Sequence, residues 1–387
     1  MKKKMLFICS RIPYPPVGGD RAKNFNLLNK LKNTYDIHLV VITSEPVSIE
    51  AQSYLDSVGE NKVFTKNKWD FIKSFLFGIL NLPKPLQVSL YYFKDVKEYV
   101  NTQSLGCDIL FSTLVRTSEY VRMLEKPKVC DMADSIGQNY ARSYKHVKSK
   151  IMAAYYYVES KFLIKYEEVI AEEFDAVFLF NKQELNNFKC KSNLVWIPHG
   201  VNESLIDYTI QSTKEKAVGF IGKMDYQPNI DAVLWFVHNV IPLLPNDVKF
   251  YIIGAKPTPQ ILNLASESII VTGFMDDPFL LLSGLKVAIA PMVTGGGIQN
   301  KVLEAMALGV ANIVSPLAAK PMNDLHYGSD LIVADTPEQW SEEIIRIIGD
   351  EDLRVKLERN ARDYIVKSYT WSASANIYIN TINKFLR

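Results

Sequence analysis

The sequence predicts an α/β protein of two domains, each built on a doubly wound parallel sheet. The chain has 387 residues, which is more than one ordinary hydrophobic core accommodates. Short apolar runs alternate with amphipathic stretches, and this alternation begins again at about residue 217. Strands that alternate with helices are typical of parallel sheets with helices on both faces.

Five apolar runs in the first half predict strands, at Met5–Cys9, His38–Ile42, Asp108–Ser112, Lys128–Asp131 and Ala176–Phe180. The amphipathic stretches Asp20–Leu31 and Ser149–Glu173 predict helices between them. These elements define an N-terminal domain over residues 1–198, which ends in the turn Ile197–Gly200.

Six further strands are predicted in the second half, at Ala217–Ile221, Lys249–Ile253, Ile269–Val271, Val287–Ala290, Ala311–Val314 and Leu331–Val333. Helices are predicted at Pro228–Leu243, Gln299–Ala307 and Pro337–Ile347. The second domain therefore covers residues 199–369, and residues 370–387 form a final helix.

The net charge of +2 conceals an asymmetry, because residues 1–200 carry 28 Lys and Arg against 21 Asp and Glu. A basic first half suits an anionic membrane or a lipid-phosphate acceptor, and equally suits ordinary solubility. The small total charge and the lack of a recognition motif argue against nucleic-acid binding.

Cysteine spacing and hydropathy bound the compartment. The four cysteines are far apart and form no C-x-x-C pair, which argues against a zinc site and disulfides and fits a reducing cytoplasm. No apolar stretch reaches the roughly 20 residues that a transmembrane helix needs.

Ligands of parallel sheets bind beyond the carboxyl ends of the strands, and three loops there carry candidate residues. The first holds Gly18 and Gly19 before a helix, where free N–H groups attract anions. A tight turn capped by Asp20 explains it equally well. The second holds Gly222 and Lys223, whose ammonium group can neutralise a diphosphate; a solvated surface lysine is the alternative.

The third loop carries the most specific signal. Three glycines open a helix and form an anion-binding nest on its N-terminus. Its candidate donor-binding residues are Gly296, Gly297, Ile298, Asn300, Lys301 and Glu304. A carboxylate at Glu304, one or two turns into the helix, suits two ribose hydroxyls. The alternative is a flexible loop followed by a surface charge.

The segment Gly295–Gly309 resembles the donor-site segment of retaining GT-B glycosyltransferases of family 4, the glycosyl transferases group 1. Phe220–Ala232 resembles the start of the second domain in a subgroup associated with bacterial polysaccharide clusters. The turns Pro13–Gly19 and Ile197–Asn202 extend the resemblance along nearly the whole chain.

This resemblance implies a GT-B fold, in which two Rossmann-like domains face a cleft and the C-terminal helix crosses back to the first domain. It implies that the N-terminal domain binds the acceptor and the C-terminal domain the nucleotide-sugar donor. Glu304 resembles the family's ribose-binding glutamate, and Lys223 resembles its diphosphate-binding basic residue. Gly18 and Gly19 resemble the loop that meets donor or acceptor.

Two positions depart from the family pattern. The first glutamate of the family's E-x(7)-E motif falls at Gly296, where backbone N–H groups replace a carboxylate. The family's second lysine falls at Asn229. We expect Lys301 to supply that missing charge from the other loop.

No metal or other cofactor is predicted. The one D-x-D pattern, Asp350-Glu351-Asp352, follows a helix and is interpreted as the solvated start of another. We therefore expect transfer without metal, in which Lys223 and Lys301 act as catalytic residues by stabilising the leaving group. The resemblance implies retention of anomeric configuration, with the donor phosphate helping to deprotonate the acceptor.

Three residues after the strand Lys128–Asp131 are candidates for the acceptor side. Asp134 is a candidate catalytic base, and Asp131 and Ser135 are candidate acceptor ligands. Helix capping by Ser135 or Asp134 is the alternative. Glu167, on a predicted helix, is interpreted as part of a solvated face.

Aromatic residues and lysines alternate over Trp69–Tyr99, which suits either a membrane interface or a domain core. A cytoplasmic location, with peripheral contact to the inner membrane, follows if the acceptor is lipid-linked. The resemblance implies a glycosyltransferase that acts in the biosynthesis of a bacterial capsule, O-antigen or exopolysaccharide. A nucleotide-sugar epimerase of the same fold and an inactive nucleotide-sugar-binding module are the alternatives.

Overall fold

The computed structural model describes residues 2–17, 19–80, 84–144, 149–209, 213–294, 298–322 and 325–386. The chain forms two compact units. The first contains residues 1–198 and 374–387, and the second contains residues 199–373. Both are α/β units with an all-parallel sheet, which confirms the predicted fold class.

The first unit has seven strands: β1 (Lys3–Cys9), β2 (Tyr35–Thr43), β3 (Glu60–Thr65), β4 (Ile109–Thr113), β5 (Lys128–Ala133), β6 (Ala176–Leu179) and β7 (Leu194–Trp196). Its helices are α1 (Gly19–Leu31), α2 (Ile49–Val58), α3 (Lys68–Leu80), α4 (Leu86–Leu90), α5 (Lys94–Ser104), α6 (Val115–Ser118), α7 (Ile136–Ser143), α8 (Lys150–Glu173) and α9 (Lys182–Leu185). The strands lie in the order β3-β2-β1-β4-β5-β6-β7.

The second unit has six strands: β8 (Glu215–Ile221), β9 (Lys249–Ile253), β10 (Ile269–Gly273), β11 (Leu285–Ala290), β12 (Ala311–Val314) and β13 (Ile332–Val333). Its helices are α10 (Gln227–Asn239), α11 (Pro259–Leu262), α12 (Pro278–Ser283), α13 (Asn300–Ala307), α14 (Pro316–Ala319), α15 (Pro337–Gly349) and α16 (Glu351–Ser368), followed by α17 (Trp371–Ile382), which ends in the first unit. The strand order is β10-β9-β8-β11-β12-β13.

Burial on both faces explains why β1 is apolar without interruption from Met5 to Cys9. Met5, Phe7 and Cys9 of β1 enter one core cluster, whereas Leu6 and Ile8 enter the cluster on the opposite face. A parallel strand covered by helices on both sides has no solvated face, so its sequence shows no alternation with polar residues.

The end of α17 packs on the first unit, as the resemblance implied. Ala375, Tyr378 and Ile382 are buried in the same core cluster as Met5 and Phe7. The Tyr378 ring lies 4.4 Å from that of Phe178 between centroids. The last helix therefore completes the hydrophobic core of the first sheet, whose strands all lie within residues 3–196.

A buried polar cluster fixes this helix. The Tyr378 hydroxyl donates to Asp131 Oδ2 at 2.9 Å, and Lys23 Nζ of α1 lies 2.8 Å from the same oxygen. The Lys23 contact is an ion pair without hydrogen-bond alignment. All three side chains are buried. Asp131 thus joins α1, β5 and α17 inside one unit.

We predict that Asp131→Asn destabilises the protein by about 3 kcal/mol or more, because it leaves Lys23 charged and unpaired in the core. Tyr378→Phe should cost less, about 1.5–3 kcal/mol, since it removes one hydrogen bond to a charged group. Urea denaturation measures both values. The exposed Asp36 of β2 provides the matched control: Asp36→Asn should stay within about 0.5 kcal/mol of wild type. Equal losses for Asp131→Asn and Asp36→Asn would contradict the anchoring role.

Candidate active site

The strand order reverses between β8 and β11 in the second sheet. On one side of this pair β8 is hydrogen-bonded to β9, and on the other side β11 is hydrogen-bonded to β12. Because the chain leaves these two neighbouring strands in opposite directions, the carboxyl edge between them stays open, and ligands of such sheets bind there. The second and third loops selected from the sequence both follow these strands.

The two loops are joined by Asn229 and Lys301. Lys301 Nζ, on the first turn of α13, donates to Asn229 Oδ1 at 2.6 Å. Asn229 Nδ2 donates to the carbonyl oxygen of Lys223 at 2.9 Å, in the loop after β8. The structure therefore brings a lysine from α13 to the position at which the family pattern has its second lysine.

The Asn229 side chain lies so close to the backbone at residue 222 that glycine is required there. A Cβ atom at Gly222 would lie 2.6 Å from Asn229 Nδ2, closer than real Cβ contacts allow. Any larger residue at position 222 would displace the Asn229 amide and, with it, the hydrogen bond that orients Lys301. Gly222 therefore has a packing role between the two loops, and its role in donor binding stays a prediction.

Lys301 lies in a partly apolar environment. Its Nζ is 4.9 Å from the centroid of the Phe220 ring and 3.5 Å from Met292 Sδ. Burial lowers the pKa of Lys301 to about 8, and the nearby Glu304 carboxylate acts in the opposite direction. Desolvation destabilises the charged ammonium group at this junction of two loops, and an anion bound beside it would stabilise it.

Glu304 lies one turn further along α13 and is half-buried. Burial raises the pKa of its carboxyl group, and Lys301 opposes that shift. Within the part of the chain that the structure describes, no hydrogen bond to the Glu304 carboxylate is present. A half-buried carboxylate in this state has both oxygens available to ligand hydroxyls.

The remaining donor-side candidates differ in exposure. Lys223 is exposed, with its Nζ 3.7 Å from Asp225 Oδ1. Asn300 is exposed at the start of α13, and Ile298 packs against the core of the unit. Gly296 and Gly297 lie outside the described residues, as does Gly18 of the first loop. Lys223 can therefore reach a ligand only from the solvent side of the site.

The first sheet reverses between β1 and β4, and the loop after β1 leads to Gly19 at the start of α1. No atom lies within 4 Å of a Cβ built on Gly19, so its backbone faces open space. Asp20 accepts a hydrogen bond from the Arg21 N–H at 3.0 Å and pairs with Arg11 at 3.2 Å. The α1 N-terminus thus stands at an open sheet edge, where anions bind favourably.

Sequence reasoning missed Arg116, which lies in α6 directly after β4. Its guanidinium group lies 4.7 Å from the centroid of the Tyr91 ring. Its Nε atom is buried and has no hydrogen-bond partner among the described residues. The residue before the helix, Leu114, has a φ of 58°, a left-handed conformation that is strained for leucine. This loop also follows the carboxyl end of a parallel strand, so the rule that selected the other three loops selects it as well.

The three candidates at the end of β5 and directly after it have different environments. Asp131, within β5, is fully buried in the cluster with Lys23 and Tyr378, which corrects its expected role as an acceptor ligand. Ser135 is also buried: its Oγ caps α7 by accepting from Gln138 N–H at 3.0 Å and donates to Glu167. Ser135 is therefore the helix cap that the sequence left as an alternative.

Asp134 remains a candidate for chemistry. Its side chain is exposed, although desolvation by the surrounding protein raises its pKa to about 6 and the Glu184 carboxylate adds to that shift. It follows Ala133, whose φ of 61° is a strained left-handed conformation at the end of β5. A carboxylate that titrates near pH 6 is ionised at neutral pH and can accept a proton.

The interpretation of Glu167 as a solvated residue is wrong. Its carboxylate is buried and accepts hydrogen bonds from Ser135 Oγ and from Gly137 N–H at 3.0 Å. Burial raises its pKa to about 7, against these hydrogen bonds. The close packing of α7 on α8 covers it, since a Cβ at Gly137 would lie 2.8 Å from the backbone nitrogen of Ile164.

Acidic residues do not assemble into a metal site among the described residues, where no cluster of three or more His, Cys, Asp or Glu has suitable geometry. Asp350 of the D-x-D pattern caps α16, with its Oδ1 accepting from Leu353 N–H at 2.9 Å. Among the described helices, none is long and apolar enough to cross a membrane.

Residues 215–350 match the family described as glycosyl transferases group 1. A segment of 119 residues is 27% identical to an uncharacterized glycosyltransferase of Methanocaldococcus jannaschii and covers 30% of this chain and 30% of that relative. The matched family region contains both loops of the second-unit site and the whole of α13.

Solved structures resemble nearly the whole chain. Sucrose-phosphate synthase from Thermosynechococcus elongatus aligns with a TM-score of 0.66 at 15% identity, covering 99% of each chain. HepE of Anabaena, solved with UDP and glucose, aligns with a TM-score of 0.65 at 13% identity, covering 99% of this chain and 100% of that one. The lipopolysaccharide outer core galactosyltransferase WaaB aligns with a TM-score of 0.64 at 13% identity, covering 98% of this chain and 99% of that one. The fold is therefore GT-B.

We predict that Lys301 titrates near pH 8, because burial opposes its charged form. NMR titration of the ¹³Cε resonances of labelled lysine measures this directly. The resonance with the lowered pKa should be absent from Lys301→Arg and unchanged in Lys356→Arg, which alters an exposed lysine of α16. A pKa near 10 for Lys301 would contradict the described burial.

Proposed function

We propose that this glycosyltransferase, whose residues 215–350 form a domain of the group 1 family, transfers a sugar from a nucleotide-sugar donor to a bacterial surface polysaccharide. The observation that carries the proposal is the junction of Lys301, Asn229 and Glu304 at the open edge between β8 and β11. It combines a partly buried cation for a diphosphate with a half-buried carboxylate for hydroxyl groups.

In the proposed complex, the second unit binds the donor. Glu304 accepts the ribose hydroxyls of the nucleotide, and Lys301 and Lys223 contact the diphosphate from the buried and the solvent side. We propose that backbone N–H groups of Gly296, Gly297 and Ile298, together with Asn300, bind the diphosphate, because the dipole of α13 favours an anion at its N-terminus. The complex of HepE with UDP and glucose supports UDP as the first nucleotide to test.

The transfer needs charge stabilisation more than a dedicated nucleophile. The bond between the anomeric carbon and the diphosphate oxygen breaks, and a bond from that carbon to the acceptor oxygen forms on the same face. The acceptor proton passes to Asp134, and a donor phosphate oxygen that is hydrogen-bonded to the acceptor hydroxyl assists its removal. Negative charge grows on the leaving diphosphate, where Lys301 and Lys223 stabilise it in place of a metal ion. Each such group contributes about 3–4 kcal/mol by analogy with oxyanion donors.

The acceptor side belongs to the first unit in this proposal. Asp134 accepts a hydrogen bond from the acceptor hydroxyl and then its proton, and Gly18 and Gly19 are proposed to contact the donor or the acceptor. The resemblance in fold to WaaB, which acts on the lipopolysaccharide outer core, supports a surface glycan as acceptor. A cytoplasmic location with peripheral contact to the inner membrane suits a lipid-linked glycan.

The donor is identified by saturation-transfer NMR against a panel of UDP-, GDP- and dTDP-sugars. We expect one nucleotide-sugar to give saturation transfer with wild type. Glu304→Ala should weaken binding roughly 10-fold to 100-fold, since a charged hydrogen-bond partner contributes about 1.5–3 kcal/mol. Glu267→Ala, an exposed glutamate of the same unit, is the matched control and should bind as wild type does. Absence of binding to every nucleotide-sugar would refute the proposal.

Lys301 and Asn229 should act as one unit in donor binding. Lys301→Met should reduce affinity for the nucleoside diphosphate by about 10-fold to 100-fold, and Asn229→Leu should reproduce part of this loss by releasing the Lys301 ammonium group. The double variant should lose little more than Lys301→Met alone, because the two residues share one interaction. Calorimetry of nucleotide binding tests this; strictly additive losses would show that Asn229 does not orient Lys301.

The pH dependence of turnover tests Asp134. With its pKa raised to about 6, wild-type kcat/KM for the acceptor should fall about tenfold per pH unit below 6, because the ionised form is the one that accepts a proton. Asp134→Asn should lower kcat/KM roughly 100-fold or more and abolish this acid limb. An unchanged acid limb in Asp134→Asn would assign the titration to another group.

A further inference from the structure

Helix α3 is oriented with its small residues toward the protein. Ser74 and Gly78 are its buried positions, and a Cβ at Gly78 would lie 2.6 Å from Cβ of Ser89 in α4. Phe71, on the same face, packs edge-on against Tyr91 and Phe93 with centroids 5.5 and 5.4 Å away. The helix is thus held tightly through a narrow inner face.

The opposite face of α3 is large, apolar and exposed. Trp69, Leu76 and Leu80 are 70%, 56% and 84% exposed, and Ile72 and Ile79 are also exposed. Residues 69, 72, 76 and 80 recur at the spacing that places side chains on one helix face. A surface helix of a water-soluble protein normally exposes its polar side, whereas α3 exposes its apolar side. Such an exposed apolar face is typical of an interaction site with an apolar partner.

Basic side chains accompany this apolar face. Lys73 is exposed and, four residues after Trp69, shares its face, while Lys68 is exposed beside it. Within the described residues, neither lysine forms an ion pair. The one acid of α3, Asp70, instead accepts a hydrogen bond from Asn67 N–H at 2.9 Å at the start of the helix. The apolar face therefore carries positive charge without negative charge.

We propose that α3 docks this protein on an anionic lipid bilayer, with the Trp69–Leu80 face in the headgroup and upper acyl region. Its 13 residues are too few to span a bilayer, which needs about 20, so the helix lies in the plane of the interface. Trp69 at one end suits the headgroup level, and Lys68 and Lys73 reach lipid phosphates. The inference rests on the proposed function for its biological meaning, while vesicle binding itself requires no catalysis.

A second copy of the chain fits this face less well than lipid. A symmetric pairing of two α3 helices places the same surface against itself, so that the Lys73 side chains of both copies approach one another. Like charges brought together in an apolar contact are repelled and desolvated at once. A lipid surface meets the same lysines with phosphate groups.

Vesicle binding tests the proposal directly. Full-length protein is sedimented with vesicles of phosphatidylcholine alone and of phosphatidylcholine with phosphatidylglycerol in a three-to-one ratio. We expect binding to the anionic vesicles that weakens as salt is added. Replacing Trp69, Leu76 and Leu80 together by Ser should lower the partition coefficient roughly a hundredfold, because it removes three large apolar side chains from the lipid.

A matched control separates the α3 face from apolar exposure in general. Ile49, Leu105 and Met123 are 87%, 77% and 74% exposed in the same unit but lie outside α3. Their triple replacement by Ser should leave the partition coefficient within about twofold of wild type. Because every substituted residue is exposed, both variants should keep the wild-type circular dichroism spectrum and unfolding temperature.

Tryptophan fluorescence gives an independent readout. Addition of anionic vesicles should shift the emission of wild type to shorter wavelength, and Trp69→Phe should remove this shift while still binding, since phenylalanine keeps an apolar ring. Failure of wild type to bind anionic vesicles, or equal binding by the α3 variant, would overturn the proposal. A wild-type dimer that the α3 substitutions dissociate, without vesicle binding, would assign the face to a second copy instead. Donor binding without vesicle binding would leave the transferase proposal standing.

Discussion

The parallel hydrogen bonding of β8 to β11 is the constraint on which the candidate site depends. These strands are neighbours in the sheet although more than 60 residues separate them in the chain, and the chain leaves them in opposite directions. That divergence opens the carboxyl edge of the sheet, and only there do the loop after β8 and the first turn of α13 come within hydrogen-bond distance. Asn229 and Lys301 meet because the topology brings two loops together that sequence distance keeps apart.

The candidate site holds two partly desolvated charged groups, Lys301 and Glu304, and their desolvation costs free energy. Lys301 is desolvated enough to lower its pKa to about 8, and Glu304 is half-buried beside it with no hydrogen bond among the described residues. In the first unit the same kind of charge is neutralised, since Asp131 is paired with Lys23 and bonded to Tyr378. The contrast separates a structural ion pair from a candidate ligand site, because Asp131 has the Lys23 cation beside it whereas Lys301 and Glu304 form no ion pair among the described residues.

Much of the fold was predictable because a parallel sheet imposes long apolar runs. β9 and β12 have the bounds predicted from the sequence, at Lys249–Ile253 and Ala311–Val314. β3 and β7, the strands at the two edges of the first sheet, were not predicted. Glu60–Thr65 contains only two apolar residues, Val63 and Phe64, and Leu194–Trp196 is only three residues long. Edge strands bury less, so their composition differs less from that of loops.

The candidate site was predictable in part, for a different physical reason. Glycines and lysines at strand ends are local signals, and they located Gly222, Lys223, Lys301 and Glu304. Burial is not local. Asp131 was a candidate acceptor ligand and is fully buried, whereas Glu167 was expected to be solvated and is enclosed by α7. Arg116 was missed because its environment, the Tyr91 ring and a desolvated Nε, arises only when α4 packs near α6.

The central claim is that this chain transfers a sugar from a nucleotide to an acceptor without a metal ion and with retention. The most direct measurement is NMR analysis of the products formed from the donor, in EDTA, with and without a lipid-linked glycan extract. The account predicts a new glycoside whose anomeric configuration matches that of the donor, formed only with the extract and accompanied by stoichiometric nucleoside diphosphate. Conversion of the donor to an epimer without acceptor, or an inverted product, would contradict it.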